Sequence, residues 1–124
     1  MVVSVHHYEL SESATPSEFR DAVNEAVDRG LFENVPGLVD YRIGRGIRGD
    51  RAGRFAAVWI YESREAWADV WGPADDPVTR TDYPDEWLTW EDELLDPLLS
   101  EDPDAIEYTS YELVAGRADM SESR

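Results

Sequence analysis

The sequence predicts a single α+β domain in which a four-stranded antiparallel sheet carries helices on one face. Three observations support this fold class. Segments of β-rich and helical character follow one another in the order strand, helix, strand, strand, helix, strand. A glycine-bounded turn separates the two middle strands, and a chain of 124 residues can build one real core. Two βαβ halves around a central hairpin form the ferredoxin-like βαββαβ arrangement.

The first half of the chain begins with a strand and continues into the clearest helix. Residues 2–10 are β-rich and stop at a polar cluster, which predicts the first strand. Thr15 and Glu18 have the spacing of a capping box, with Pro16 at the first helical position. The apolar residues that follow recur at helical spacing: Phe19, Ala22, Val23, Ala26 and Val27. We therefore predict a helix over residues 16–29.

The two middle strands are predicted on either side of a turn at residues 49–53. Residues 38–47 predict the second strand. Its alternating apolar face is expected to contain Val39, Tyr41, Ile43 and Ile47. Residues 54–62 predict the third strand, which is apolar on both faces. Such a strand is typical of a central position covered on both sides.

The second half contains a further helix besides the one that the fold requires. Ser63 is a candidate N-cap for the second helix, and a loop over residues 72–83 follows it. The further helix is expected to begin near Pro84 and to end or kink at Pro97. Its inward residues are expected to be Trp87, Trp90, Leu94, Leu95 and Leu98.

The fourth strand is predicted over residues 106–114. The domain is therefore expected to span residues 1–114, with residues 72–105 as an insertion of a loop and a helix. Residues 115–124 are expected to form a flexible tail.

The composition excludes several classes of function. The chain has 28 acidic and 11 basic residues, a net charge of −17, and every basic residue is arginine. This composition resembles that of proteins from salt-in halophiles, in which molar salt screens the self-repulsion. The alternative explanation for the absence of lysine is a GC-rich genome, in which lysine codons are rare.

We expect no nucleic-acid partner, because no basic stripe is present. With no cysteine, no signal peptide and no membrane span, the sequence predicts a cytoplasmic protein.

The third strand indicates how the protein assembles. The helices can cover only one face of the sheet, whereas this strand is apolar on both faces. A second copy of the same sheet, related by a two-fold axis, is the simplest way to bury the other face. We therefore predict a homodimer whose two sheets close into a barrel-like core.

The junction between the third strand and the second helix resembles a known superfamily. The segment Tyr61-Glu-Ser-Arg-Glu-Ala-Trp67 is similar to that of dimeric α+β barrels, especially antibiotic-biosynthesis-monooxygenase-like members. The resemblance covers residues 2–71 and 106–114. It implies cofactor-free oxygenases of phenolic or quinol-type substrates, polyketide cyclases, haem-degrading enzymes or proteins without a known reaction. The resemblance does not indicate which of these classes the protein belongs to.

Aligned on this family pattern, the first strand presents one histidine to each face of the sheet. Ser4, His6, Tyr8 and Leu10 are expected to face the helices, and His7 to face the partner sheet. A register shift of one residue would exchange the two histidines. We interpret His6 as the catalytic group, because a neutral imidazole can transfer a proton or polarise a phenol. A buried, hydrogen-bonded core histidine is the alternative.

Aromatic residues are expected to line the binding site for a small apolar or aromatic molecule. The candidate substrate-binding residues are Tyr8, Tyr61, Trp67, Trp59, Trp71 and His7. An aromatic cleft suits a flat ligand, although plain core packing would use the same residue types.

No cofactor or metal is expected. The haem-degrading branch has its haem-ligating histidine on a helix after the third strand, and residues 87–95 contain none. Clustered acids such as Asp75-Asp76 and Glu91-Asp92-Glu93 are interpreted as a solvated face rather than a cation site. The arginines near the hairpin are expected to pair with surplus carboxylates rather than to attract an anionic substrate.

The sequence is compatible with three hypotheses for the function. The first is a cofactor-free monooxygenase or a cyclase acting on a flat aromatic or polyketide-like molecule. The second is a binding protein for a small ligand without chemistry. The third is a dimeric scaffold in which the tryptophans fill the space of a pocket.

Overall fold

The structure is a computed structural model that describes residues 1–116 and confirms the ferredoxin-like α+β fold. Within these residues the main elements are β1 (Val2–His7), α1 (Pro16–Asp28), β2 (Leu38–Arg45), β3 (Phe55–Tyr61), α2 (Arg64–Trp71), α3 (Asp85–Leu88) and β4 (Glu107–Glu112). The sheet has the order β2-β3-β1-β4, and every neighbouring pair is antiparallel. β3 therefore lies at the centre with β1, as its apolar sequence predicts.

The third helix changes geometry after its first turn. It continues as a π-helical segment, Thr89–Leu95, and closes with a 3-10 turn, Asp96–Leu98. The amide of Asp96 donates to the carbonyl of Glu91, five residues earlier, as π-helical bonding requires. Pro97 lies in the closing turn, so the helix ends where the sequence predicts it.

Several strand boundaries differ from the predicted ones. β1 ends at His7 rather than at residue 10, and Leu10 instead forms an isolated bridge with Leu99. β2 and β3 are two residues shorter than predicted, and β4 is three residues shorter. Strand ends follow from pairing partners, which a local pattern does not contain. Of the predicted tail, residues 117–124 lie outside the described part.

The predicted inward face of β2 is wrong at two of its four positions. A β-bulge lies between Leu38 and Asp40, where β2 has one more residue than β3. The extra residue, Val39, is 54% exposed. Ile47 is 96% exposed because it lies beyond the end of the strand. Three residues of β2 pack against the core: Leu38, Tyr41 and Ile43.

The core lies between one face of the sheet and the helices. Phe19 of α1 stacks on Phe55 of β3, with ring centroids 4.2 Å apart. Trp87 of α3 meets Trp59 of β3 edge to face at 4.9 Å. The side chains that alternate with these along the two central strands point to the other face. That outer face carries an apolar strip in which Val3, Val5 and Val58 are half-buried and Ile60 is buried within the subunit.

Six of the nine arginines within the described residues form an ion pair with a carboxylate. Arg51 bonds Glu9 at 2.6 Å, and Arg54 reaches the same carboxylate at 3.3 Å. Arg42 pairs with Asp40. These contacts agree with the interpretation of the hairpin arginines as partners for surplus acids. In the same part of the chain, no helix combines the length and apolar character needed to cross a bilayer.

The capping box of α1 provides a local test of the fold. The Thr15 hydroxyl accepts from the Glu18 amide at 3.1 Å, and the Glu18 carboxylate accepts from the Thr15 amide at 2.9 Å. We expect Thr15→Ala to lower the free energy of unfolding by about 1 kcal/mol, because the Glu18 amide loses the hydroxyl that accepts its hydrogen bond. Urea denaturation measures the change. Ser17→Ala, an exposed control within the same turn, should stay close to wild type; equal losses would contradict the capping role.

Candidate functional site

A cavity of about 200 Å³ lies between the sheet and the loop that follows α2. This volume is several times the roughly 30 Å³ that one water molecule occupies in the liquid. Strands β1, β3 and β4 form the floor, and α2, α3 and the π-helical segment form the walls. The lining residues are Ser4, His6, Tyr61, Trp67, Trp71, Gly72, Pro73, Ala74, Pro77, Arg80, Tyr83, Trp87, Glu91, Pro103, Asp104, Ile106, Tyr108 and Ser110.

A turn at the end of α2 directs the following loop back over the cavity. Gly72 ends the helix with φ of +85°, a conformation that favours glycine. A Cβ at this position would lie 2.6 Å from the carbonyl oxygen of Asp76. The amide of Val78 then donates to the carbonyl of Trp71 at 2.9 Å. The loop is therefore tied to the helix end and forms one rim of the cavity.

His6 lies on the cavity floor among aromatic rings. Its ring centroid is 5.3 Å from that of Tyr108 and 5.8 Å from that of Trp87. Its Nδ1 is buried and has no hydrogen-bond partner within residues 1–116. Burial, and secondly the neighbouring His7, lower the pKa of His6 to about 4. The imidazole is therefore neutral near pH 7, with one ring nitrogen able to donate and the other to accept.

A buried ion pair forms another part of the wall. The Glu91 carboxylate is 4% exposed and accepts a hydrogen bond from Arg80 at 2.8 Å. Arg80 also pairs with Asp92 and lies 3.4 Å from Asp104. Burial raises the pKa of Glu91 to about 7, and the attraction of Arg80 offsets only part of that effect. Burial alone would lower the pKa of Arg80, but its bonds to Asp92 and Glu91 leave it raised.

The remaining wall is mostly aromatic and uncharged. Trp71 meets Tyr83 edge to face at 5.0 Å and Trp87 at 5.6 Å. The Arg80 guanidinium lies over the Tyr83 ring at 5.7 Å. Burial raises the pKa of Tyr61, so its phenol stays protonated at neutral pH. These ring faces suit a flat aromatic occupant, and the same cavity has a polar lining as well: Ser4, His6, Arg80, Glu91, Asp104 and Ser110.

Four of the residues proposed from the sequence come together in this cavity. They are His6, Tyr61, Trp67 and Trp71. Three others do not line it. Tyr8 and Trp59 are 1% and 0% exposed and belong to the packed core behind the floor. His7 alternates with His6 along β1, so it points to the outer face and borders a shallow depression there.

Glu91 and Arg80 were not among the proposed site residues. The interpretation of the 91–93 acids as a solvated face is wrong for Glu91, which is buried. The sequence contains a signal, because Glu91 lies four residues after Trp87 and four before Leu95, within the apolar stripe. Among residues 1–116, no group of three or more metal-ligating side chains is close enough to hold a metal ion.

Comparison of the sequence with protein-family models and with curated proteins gives no match. Solved structures do match. SnoaB from Streptomyces nogalater, described as a cofactor-independent oxygenase, is 15% identical with a TM-score of 0.59, over 93% of this chain and 94% of that one. A candidate antibiotic biosynthesis monooxygenase from Nitrosomonas europaea is 18% identical with a TM-score of 0.57, over 93% and 100% of the two chains.

Dimeric proteins share the fold as well. A dimeric ferredoxin-like protein of unknown function from Jannaschia is 16% identical with a TM-score of 0.58, over 90% of this chain and 98% of that one. At these identities the comparisons establish the ferredoxin-like fold, shared with antibiotic-biosynthesis-monooxygenase-like and dimeric proteins. A shared fold at this level of identity does not establish a shared reaction.

Proposed function

We propose that this protein is a homodimeric enzyme that oxygenates a flat phenolic or quinol-type molecule without a bound cofactor. The observation that carries the proposal is the aromatic-walled cavity on whose floor the neutral His6 has a buried, unpartnered Nδ1 within the described residues. A buried polar atom without a partner costs about 1–3 kcal/mol. A ligand hydroxyl or carbonyl that bonds the imidazole would relieve that cost.

The chemistry follows from the class of ligand that such a cavity accepts. In a three-ring ketone such as anthrone, the central CH2 is acidic, because loss of its proton gives an aromatic enolate. Electron-rich enolates of this kind react with molecular oxygen. In the balanced reaction, the CH2 loses two hydrogens and becomes a carbonyl, while the second oxygen atom leaves as water. The protein's part is to bind the ring system between aromatic walls and to polarise its oxygen through His6.

The homodimer is proposed from the outer face of the sheet. Val5 lies opposite Val58 at the centre of the apolar strip, and Val3 lies opposite Ile60. Tyr111 of β4 is 53% exposed beside this strip. A second copy would remove the half-buried valines of this strip and Tyr111 from water, and the Jannaschia protein of the same fold is described as dimeric.

Anthrone binding and oxygen uptake, measured in molar KCl, test the proposed function. With anthrone at about 100-fold excess over Kd, we expect wild type to gain roughly 3 kcal/mol of stability. We expect His6→Phe to bind anthrone about tenfold more weakly, because the ring is kept and its hydrogen bond is lost. Turnover should consume one oxygen molecule for each anthraquinone formed.

His7→Phe is the matched control, since His7 is the next residue of β1 and points to the other face. It should bind and oxidise anthrone like wild type. Equal losses in the two variants would contradict the role of His6. Binding without oxygen uptake would contradict the oxygenase proposal and leave a ligand-binding protein or a cyclase.

A further inference from the structure

Glu91 is an acidic residue that the fold keeps inside the molecule. Of the charged residues within 1–116, it alone is buried. A buried carboxylate costs several kcal/mol unless its partners compensate, so an apolar residue would be the more stable choice in this stripe. The groups facing it from other elements include Arg80, Trp87, Tyr8, Tyr61 and Tyr83, and Asp104 lies beside Arg80.

The local backbone around Glu91 is also unusual. Glu91 lies within the π-helical segment Thr89–Leu95, and its own carbonyl accepts the five-residue bond from Asp96. A π-helical turn adds a residue to the helix and occurs frequently at functional sites. Trp90 and Glu91 are neighbours in sequence, and both are buried. The segment therefore packs one side chain into the core and presents the next to the cavity.

Arg80 restrains the carboxylate from one side. Its Nη1 donates to Oε1 of Glu91 at 2.8 Å, while Nη2 bonds Asp92 on the next residue of the helix. A planar guanidinium held by two acceptors has a defined orientation. Arg80 donates to Oε1 of Glu91 and leaves Oε2 free of the guanidinium. Because Arg80 engages only one oxygen, the second carboxylate oxygen can accept a proton.

We propose that Glu91 is a catalytic residue that takes the acidic proton from the aromatic molecule bound in the cavity, with Arg80 as its positioning residue. This proposal rests on the proposed function. The C–H bond of the ligand's CH2 breaks, its electron pair stays on the ligand as an enolate, and the proton forms an O–H bond with Glu91. His6 contacts the ligand oxygen on which the negative charge develops.

The protonation states of the two residues suit this division of roles. A general base works best when its pKa is close to the working pH. The pKa of Glu91 is raised to about 7, largely by burial, whereas that of His6 is lowered to about 4. Near pH 7, a substantial fraction of Glu91 is therefore ionised, and its carboxylate binds a proton more tightly than the imidazole of His6 does. His6 remains a neutral hydrogen-bonding group.

Hydrogen–deuterium exchange at the anthrone CH2 tests this inference without the oxygen step. The exchange is followed by NMR in heavy water under anaerobic conditions, above the uncatalysed background. We expect wild type to accelerate exchange and Glu91→Gln to lose about 100-fold or more of that acceleration. Anthrone affinity should change by less than about threefold, because the amide has the same shape. Glu91→Asp should recover part of the rate.

Glu93→Gln is the matched control, because Glu93 lies on the same segment and is exposed. It should exchange like wild type. The wild-type exchange rate should rise as the pH passes through the pKa of Glu91, and this rise should be absent in Glu91→Gln. The inference would be overturned if Glu91→Gln kept the wild-type exchange rate or its rise with pH, or if wild type did not accelerate exchange. Exchange by wild type without oxygen uptake would support Glu91 as the base and contradict only the oxygenase proposal.

Discussion

Val5→Asp is expected to convert the proposed homodimer into a monomer. Val5 lies at the centre of the outer sheet face, paired with Val58 on one side and Thr109 on the other. In a two-fold interface each substitution is present twice, and each buried, unpaired carboxylate costs several kcal/mol. We therefore expect the dissociation constant to rise by at least about 1000-fold.

Light scattering during size exclusion in molar KCl measures this change directly. Wild type should have twice the chain mass of 14.1 kDa, and Val5→Asp should have the mass of one chain. Val27→Asp is the matched control, because Val27 is an apolar residue on α1 that is 44% exposed. It should remain dimeric. A monomeric wild type, or a dimeric Val5→Asp protein, would exclude this face as the interface.

Glu91→Gln is expected to gain stability relative to wild type as the pH rises from about 4.5 to about 7. The pKa of Glu91 rises from 4.5 to about 7 on folding, because burial disfavours the charged form. Between these values the folded chain holds a proton that the unfolded chain has released. The contribution of Glu91 to wild-type stability therefore falls with rising pH in this window and is constant above it. At about 1.4 kcal/mol per pH unit, the difference is on the order of 3 kcal/mol.

Urea denaturation of both proteins at several pH values between about 4 and 8 tests this difference. His6 contributes in the opposite direction between about pH 4 and 6.5, because folding lowers its pKa, but this contribution is common to both proteins and cancels in their difference. The free energy of unfolding of Glu93→Gln should change with pH as that of wild type does, since Glu93 is exposed beside Arg29. If the free energies of unfolding of Glu91→Gln and wild type changed equally with pH, Glu91 would ionise as it does in water.

Local patterns predicted most of the fold. The capping box at Thr15 and Glu18 and the apolar stripe after it are short-range signals, and α1 begins where they indicate. β3 is central because a strand that is apolar on both faces needs cover on both. The face of β2 was partly wrong, because the bulge at Val39 depends on pairing with β3.

The candidate site was predicted in part. Period-two alternation predicts that His6 and His7 face opposite ways, and the structure places them so. Alternation does not distinguish a side chain in a packed core from one at a cavity wall. Tyr8 and Trp59 were therefore proposed as ligand contacts although they are buried in the core. The burial of Glu91 depends on the π-helical segment and on Arg80, eleven residues earlier.

The sequence by itself determined the order of the elements, the central place of β3 and the acidic surface, because capping, periodicity and charge are properties of short segments. The tertiary structure alone decided where a cavity remains between sheet and helices, and which of the acids within residues 1–116 becomes buried. Both depend on the packing of elements far apart in the chain. For the same reason, the shifted pKa values of His6 and Glu91 follow mainly from the enclosure that this packing creates, and the charges of the adjacent His7 and Asp92 add smaller effects.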